Sequence, residues 1–283
     1  MIFYGLCSIL SIHTIMVSNN SYNYLEDYLL SVRAKGRYSV TLKELIAEFP
    51  VSLKALHQSL FRVKSKNLIA QIRKGFYVII PPEYSQQGML PVYLFADDLM
   101  KSLKKDYYFG LFSAAAIHGA GHQQPMGSQI ITKIPALRDI RNNKLTINFY
   151  TRSKWNAEGI IEKKTDAGYI KVSSPELTAL DLIFFSAKIG GINRLLPILE
   201  ELSEIMKPSK LYKEAQIYGQ ITSVQRLGYL LDKVLQNPAL SDVLKKYLSN
   251  KVCYFTPLSI AHKNKESVSD KDWKIIVNID LEK

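Results

Sequence analysis

A helix start, a helix stop and a second helix start lie close together between Thr41 and Ser52. Thr41 and Glu44 have the spacing of a capping box, in which the hydroxyl accepts a bond from a backbone N–H and the carboxylate reaches back. Pro50 cannot continue a helix. Ser52 can cap the next one. The stretch therefore predicts two short helices joined by a tight turn.

The flanking residues extend this pattern on both sides. Leu25, Leu29 and Val32 recur at helical spacing before Gly36 and predict a first helix. After the third helix come two short β-rich runs, "LIAQI" and "FYVII", joined by "RKG". Three helices followed by a basic hairpin are typical of a winged helix-turn-helix.

Apolar periodicity predicts which residues of these two helices face the core. In the second helix the inward set is Leu42, Leu45, Ile46 and Phe49. In the third helix it is Leu53, Leu56, Leu60 and Val63. Lys54, Gln58 and Arg62 then fall on the opposite, solvent-facing side.

The placement of charge favours DNA as the partner of this unit. The chain has 37 Lys and Arg against 25 Asp and Glu, for a net charge of +12. From Ser52 to Gly75 every charged side chain is basic, whereas the preceding helices carry Glu26, Asp27, Glu44 and Glu48. A cationic face fits the phosphates of double-stranded DNA. The predicted DNA-binding residues are Ser52, Lys54, Gln58, Arg62, Lys64, Lys66, Arg73 and Lys74.

Beyond Pro81 and Pro82 the sequence changes character. Two helical stretches, "VYLFADDLMKSLKK" and "DYYFGLFSAAAIHG", precede the strand-like runs "QIITKIP", "KLTINFYT", "GIIEKK" and "YIKVS". Ser174 and Pro175 are a cap and a first residue for a further helix, and "VCYFTP" and "WKIIVNID" are candidate C-terminal strands. Clustered strands between helical runs predict an α+β fold with a small, mostly antiparallel sheet.

These patterns predict four segments along the chain. They are an apolar extension over 1–20, the winged helix-turn-helix over 21–82, a linker over 83–90 and the larger α+β domain over 91–283. The extension is too short and too polar to cross a bilayer, and Met16 is a possible alternative start. The linker offers little to a core, so a fragment starting near Leu90 is expected to fold and act by itself.

Several stretches of the larger domain resemble the C-terminal domain of AbiEi-family antitoxins. They are "YYFGLFSAAAIHGAGHQQP", then "QIIT", "SSPELTALDLI" and "SVQRLGYLLD", and the likeness spans most of residues 90–240. It implies an antitoxin of a type IV toxin–antitoxin, or abortive infection, system. The resemblance implies that such a protein represses its own operon by binding operator DNA with inverted repeats. It also implies that the protein opposes a nucleotidyltransferase-like toxin without forming a tight complex with it.

Catalytic and metal-binding alternatives have weaker support in the residues. His118 and His122 have ligand spacing, but Gly119 and Gly121 oppose a helix there. Cys7 and Cys253 are too few for a four-cysteine zinc site or a disulfide framework, which fits a reducing cytoplasm. We expect no cofactor, no membrane partner and no enzymatic activity.

Two alternative functions stay open at this level. One is a stand-alone winged-helix transcription factor, which an adjacent toxin gene would argue against. The other is a Mg²⁺-dependent nuclease that uses Glu162, Lys164 and Asp139. A second basic cluster, formed by Arg138, Arg141, Lys144, Arg152 and Lys154, is either a solvated sheet edge or an interaction surface.

Overall fold

The computed structural model describes residues 24–121, 127–261 and 268–281. The predicted extension over 1–20, Met16 and His122 lie outside these ranges. The helices of the described chain are α1 Tyr24–Ala34, α2 Leu42–Glu48, α3 Leu53–Ser65, α4 Ala96–Ser102, α5 Leu111–Ile117, α6 Pro175–Phe184, α7 Leu196–Ile205, α8 Pro208–Tyr218, α9 Ile221–Tyr229 and α10 Pro238–Leu248. The strands are β1 Ser39–Thr41, β2 Ile69–Arg73, β3 Phe76–Ile79, β4 Tyr107–Phe109, β5 Ser128–Lys133, β6 Ile140–Asn142, β7 Leu145–Arg152, β8 Ile160–Thr165, β9 Gly168–Ser173, β10 Thr256–Pro257, β11 Val268–Asp270 and β12 Ile275–Val277.

The first three helices pack on a small antiparallel sheet with strand order β1-β3-β2. The predicted caps are present: the Thr41 hydroxyl and the Glu44 carboxylate form a capping box, and the Ser52 hydroxyl accepts a 3.2 Å bond from the Ala55 N–H. A core of its own, which includes Leu29, Leu45 and Leu60, holds the unit together. The chain order α1-β1-α2-α3-β2-β3 is compatible with the predicted winged helix-turn-helix.

Two residues predicted to face this core are exposed instead. Ile46 is 47% exposed and Leu53 is 55% exposed. Helix α2 has seven residues, and Leu45 is the one that it buries fully. Leu53 is the first residue of α3, so it lies at the turn and outside the row that reaches the core. The inward prediction is therefore wrong for both.

The larger part of the chain is built on a six-stranded mixed sheet with strand order β6-β7-β5-β4-β9-β8. The pairs β6–β7, β4–β5 and β8–β9 are antiparallel, whereas β5–β7 and β4–β9 are parallel. Buried aliphatic residues of α6, α7, α9 and α10 pack with Tyr108 and Ile131 of the sheet. The α+β fold class and the predominance of antiparallel pairs are as predicted. The sheet is larger than the small sheet that was expected, because it has six strands.

One predicted helix begins as a strand. In the stretch "DYYFGLFSAAAIHG", residues Tyr107–Phe109 form β4, and α5 starts only at Leu111. Tyr108 pairs with Ile131 of β5, and Phe109 pairs with Val172 of β9. A short apolar run suits a buried strand as well as a helix, and the pairing partners that decide between them lie far along the chain.

The segment predicted as a linker ends in the core. Met89 and Leu90 are buried in one cluster with Phe76 and Val78 of the hairpin. Across the same junction, the Ser39 hydroxyl donates a 2.7 Å bond to Asp98 of α4. The expectation that this segment offers little to a core is wrong for Met89 and Leu90. A fragment starting near Leu90 would lose the apolar side chains that cover it, so the domain boundary stays a prediction.

A third, smaller sheet closes the chain, with strand order β10-β12-β11. The candidate strands "VCYFTP" and "WKIIVNID" contribute β10 and β12 to it, each shorter than its apolar run. Within 24–121, 127–261 and 268–281, no helix has both the length and the apolar character for a bilayer crossing.

Candidate nucleic-acid interface

Helix α3 is held by one face and leaves the other in solvent. Leu56, Leu60 and Val63 are buried in the core of the N-terminal unit. These residues follow the helical period, so the side chains between them point away from the core. Five of those side chains line one open depression, which we name the α3 face: Lys54, His57, Gln58, Phe61 and Arg62.

The hairpin lies beside this helix and is fixed at its tip. Gly75 has a φ of +75°, a conformation that glycine adopts without the steric cost of a Cβ. The Gly75 carbonyl accepts a 2.8 Å bond from the N–H of Leu42 at the start of α2. His57, Phe61 and Lys64 of α3 line a groove with Gln71 and Lys74 of the hairpin, which we name the wing groove.

The structure brings most of the predicted DNA-binding residues onto these two surfaces. Lys54, Gln58 and Arg62 share the α3 face. Lys64 and Lys74 share the wing groove. Opposite the core, the helix therefore presents cations and a neutral amide side by side, which is the chemistry that phosphates and base edges require.

The remaining three predicted residues are placed differently. The Ser52 hydroxyl accepts from Ala55 as the helix cap, and Arg73 is half-buried at the end of β2. The Lys66 ammonium lies 2.6 Å from the Glu26 carboxylate of α1. An adjacent carboxylate offsets the attraction of that cation for a phosphate, so Lys66 is the weakest of the predicted contacts.

Two residues that line these surfaces, His57 and Phe61, were not among the residues predicted from the sequence. Each lies three residues after a predicted contact, Lys54 and Gln58 respectively, and residues with this spacing share a helix face. That spacing was available in the sequence. The prediction selected for charge and amide groups, and it therefore passed over an aromatic ring that is 72% exposed.

A second group of charged residues lies inside the larger domain. Asp181 of α6 has no exposed surface. Its carboxylate accepts bonds from Arg152 at 2.9 Å, Tyr108 at 2.8 Å and Tyr218 at 2.9 Å. Burial, and then the negative charge of Asp181, raise the pKa of Tyr108 and Tyr218, so both phenols stay protonated and donate. We name these four residues the buried network.

Glu214 of α8 lies beside the buried network. Its carboxylate accepts a 3.0 Å bond from the Asn156 amide. Burial, opposed by that hydrogen bond and reinforced by the charge of Asp181, raises the pKa of Glu214 to about 7. The space around Tyr108, Arg152, Asn156 and Tyr218 amounts to about 30 Å³, which holds no ligand larger than a water molecule.

The predicted second basic cluster is not a single surface. Arg152 is 7% exposed and bonded to Asp181. Arg138, Arg141, Lys144 and Lys154 are exposed, and Arg141 pairs with Asp139 at 2.9 Å. Since Arg152 ends β7 with its side chain towards α6, grouping the five by sequence proximity was wrong.

The three residues proposed for the nuclease alternative, Glu162, Lys164 and Asp139, do not lie together in the structure. Glu162 and Lys164 lie on β8, at one edge of the six-stranded sheet. Asp139 immediately precedes β6, at the opposite edge, with four strands between them. At about 4.8 Å per strand the two carboxylates are roughly 20 Å or more apart, too far to hold one Mg²⁺.

The histidine stretch serves a structural role where it is described. His118 Nε2 lies 2.7 Å from the Ser173 carbonyl, and burial lowers the pKa of this imidazole. His122 lies outside the described residues. Among residues 24–121, 127–261 and 268–281 there is no group of three His, Cys, Asp or Glu that could hold a metal ion.

Part of the C-terminal region matches a known family model. The model of the AbiEi antitoxin C-terminal domain matches residues 108–233, from within β4 to a few residues beyond α9. This part of the chain is therefore similar to an AbiEi antitoxin C-terminal domain, and we call residues 108–233 the AbiEi domain. The AbiEi domain thus contains the whole buried network, whereas the α3 face and the wing groove lie outside it. No curated protein sequence matches the chain.

One solved structure extends the likeness in fold beyond the AbiEi domain. The RV2827C protein from Mycobacterium tuberculosis is 17% identical, with a TM-score of 0.62 over 90% of this chain and 90% of that chain. An antigenic nucleotidyltransferase-like protein from Paracoccidioides brasiliensis is 12% identical, with a TM-score of 0.37 over 54% of this chain and 90% of that chain. The first shows a shared fold, and the second is too distant to do so.

Proposed function

We propose that the chain is a DNA-binding autorepressor and the antitoxin of a type IV toxin–antitoxin system. In this proposal the N-terminal unit binds operator DNA, and the AbiEi domain opposes a nucleotidyltransferase-like toxin in the cytoplasm without forming a tight complex with it. The chain acts by binding and not by catalysis. The AbiEi antitoxin domain over residues 108–233 supports the antitoxin role.

The main support for DNA binding is the chemistry of the α3 face. Lys54, Gln58 and Arg62 lie together on the exposed side of a helix that contains no acidic residue. Lys74 stands across the wing groove from Lys64. A helix of this kind fits the major groove while the hairpin contacts the flanking phosphates. The expected operator is a duplex with inverted repeats.

The DNA-binding part is tested with the full chain and a charge-matched control. We expect Arg62→Ala with Lys74→Ala to weaken binding to operator and scrambled duplexes, and to flatten the slope of log affinity against log salt by about two. The control, Arg138→Ala with Lys154→Ala, removes the same charge from exposed positions outside the N-terminal unit. Fluorescence anisotropy at several salt concentrations measures both. Unchanged affinity in the first variant would show that α3 and the hairpin do not bind DNA.

The antitoxin part is tested by co-expression with a nucleotidyltransferase-like toxin, which this proposal expects to be encoded in the adjacent reading frame. We expect the full chain to relieve toxicity, and the variant that has lost DNA binding to relieve it equally well. Full-length variants are preferable to a fragment starting near Leu90, because Met89 and Leu90 pack with Phe76 and Val78. A folded chain that gives no rescue would contradict the antitoxin role.

A further inference from the structure

Phe61 lies on the surface proposed to bind DNA and does not pack in the core of the N-terminal unit. Its ring is 72% exposed, although Leu60 and Val63 on either side of it are buried. Within the described ranges, it belongs to no core cluster of the N-terminal unit and makes no ring–ring contact. The fold therefore gains little from an aromatic side chain at this position.

The surroundings of Phe61 distinguish it from a scattered surface apolar residue. It lies on both the α3 face and the wing groove, with His57 as the other residue common to the two. Lys54, Arg62, Lys64 and Lys74 surround it, and α3 and the hairpin carry no carboxylate. A polyanion that approaches these cations covers the ring as it binds, and a partner with an apolar group among its charges would bury the ring favourably.

In the major groove of DNA that apolar group is the C5 methyl of thymine. Phe61 follows Gln58 by three residues, which is about 4.5 Å along the helix axis. Successive base pairs are about 3.4 Å apart. The ring is thus one or two base pairs from the base that Gln58 contacts.

We propose that Phe61 is a specificity-determining residue that contacts thymine methyl groups next to the adenine bound by Gln58. This inference rests on the proposed DNA-binding function and adds to it a defined sequence preference. The cations supply affinity for any duplex, whereas Gln58 and Phe61 together select A·T pairs at neighbouring positions.

Deoxyuridine tests the contact without altering the protein. It pairs as thymine does but lacks the methyl group. The full chain first selects its preferred duplex from a random library, and each thymine of that duplex is then replaced singly. We expect the wild-type chain to lose about fourfold in affinity at one or two positions, the effect of leaving one methyl-sized group unburied, and to be indifferent at the others.

The variant Phe61→Ala should bind the thymine duplex more weakly and should no longer distinguish deoxyuridine at those positions. Leu30→Ala is the matched control, because Leu30 is 59% exposed on α1 and is not one of the residues that line the α3 face. It should keep the wild-type sensitivity. Because both side chains are exposed, circular dichroism should show unchanged folding.

The outcomes separate this inference from the function on which it rests. A chain that enriches no duplex overturns the proposed DNA binding, and this inference with it. A chain that binds its duplex but is insensitive to every deoxyuridine overturns the Phe61 contact alone. Sensitivity that persists in Phe61→Ala does the same, since another residue would then contact the methyl group.

Discussion

The α3 face and the buried network place charge under opposite conditions. On α3 the cations stand in solvent, without acidic residues on the same helix. In the AbiEi domain Arg152 and Asp181 are withdrawn from solvent, and the carboxylate of Asp181 accepts three hydrogen bonds from side chains. An exposed charge contributes little to the fold and is available to a partner, whereas a buried charge is costly unless every polar atom finds a donor or acceptor. The exposed charge of α3 is therefore suited to binding, and the buried charge of the AbiEi domain is suited to stabilising the fold.

Removing the buried carboxylate of Asp181 should have the largest effect on the stability of the fold. Asp181→Asn leaves Arg152 without its counter-ion, and the loss of one partner of a buried pair costs about 3–5 kcal/mol. We expect urea unfolding to show a lower free energy of unfolding with a similar m-value. Glu158→Gln, which removes one partner of the exposed pair Lys213–Glu158, should change little. Equal effects of the two substitutions would contradict the structural role of the buried network.

Glu214 makes the stability of the AbiEi domain depend on pH. Its folded pKa of about 7 lies above its ordinary value of 4.5, so the folded state binds a proton that the unfolded state has released. This contribution to stability is present in full below pH 4.5 and is lost as the pH rises to about 7. The total loss is on the order of 3 kcal/mol.

Glu214→Gln removes this titration while keeping an oxygen for Asn156. We expect the variant's free energy of unfolding, minus that of the wild type, to rise between pH 4.5 and 7 and then to level off. Denaturant unfolding at half-unit pH steps measures the difference. A difference that is flat over that range would mean that Glu214 is ionised in the folded chain.

On the α3 face the effect should appear in binding and not in stability. Gln58 is exposed, so Gln58→Ala should leave unfolding unchanged. A lost bidentate contact to adenine should cost about 1–3 kcal/mol on the operator and little on scrambled DNA. Anisotropy on the two duplexes gives this ratio. An equal loss on both would assign Gln58 to a phosphate.

The sequence was most informative where local chemistry decides the structure. The Thr41–Glu44 capping box, the Ser52 cap and the Ser174–Pro175 helix start were all predicted from spacing, and all are present. Each depends on residues within one turn of the chain, so no tertiary information is needed.

It was least informative where distant residues decide the outcome. Strand β4 is specified by β5 and β9, and the burial of Arg152 is specified by Asp181, 29 residues further along the chain. Of the candidate site, the cations and Gln58 were found from charge and face. His57 and Phe61 were not found, because the prediction considered only charged and amide side chains on the exposed side of the helix.

Within the described ranges, Lys64 and Lys66 allow an unpaired and a paired cation to be compared at neighbouring positions, where the expected effects are smallest. They lie two residues apart, but Lys66 is paired with Glu26 at 2.6 Å. Lys64 lines the wing groove and has no ion-pair partner in the ranges 24–121, 127–261 and 268–281. Lys64→Ala should flatten the slope of log affinity against log salt by about one, with no change in unfolding.

Lys66→Ala should lower stability and leave the salt dependence of DNA binding unchanged. Because the pair with Glu26 is largely exposed, its loss should lower the free energy of unfolding by about 0.2–1 kcal/mol. The salt slope should stay near that of the wild type, since a cation already neutralised by a carboxylate releases few counter-ions on binding. If both variants flatten the salt slope equally, the Lys66–Glu26 pair opens when DNA binds and Lys66 also contacts a phosphate.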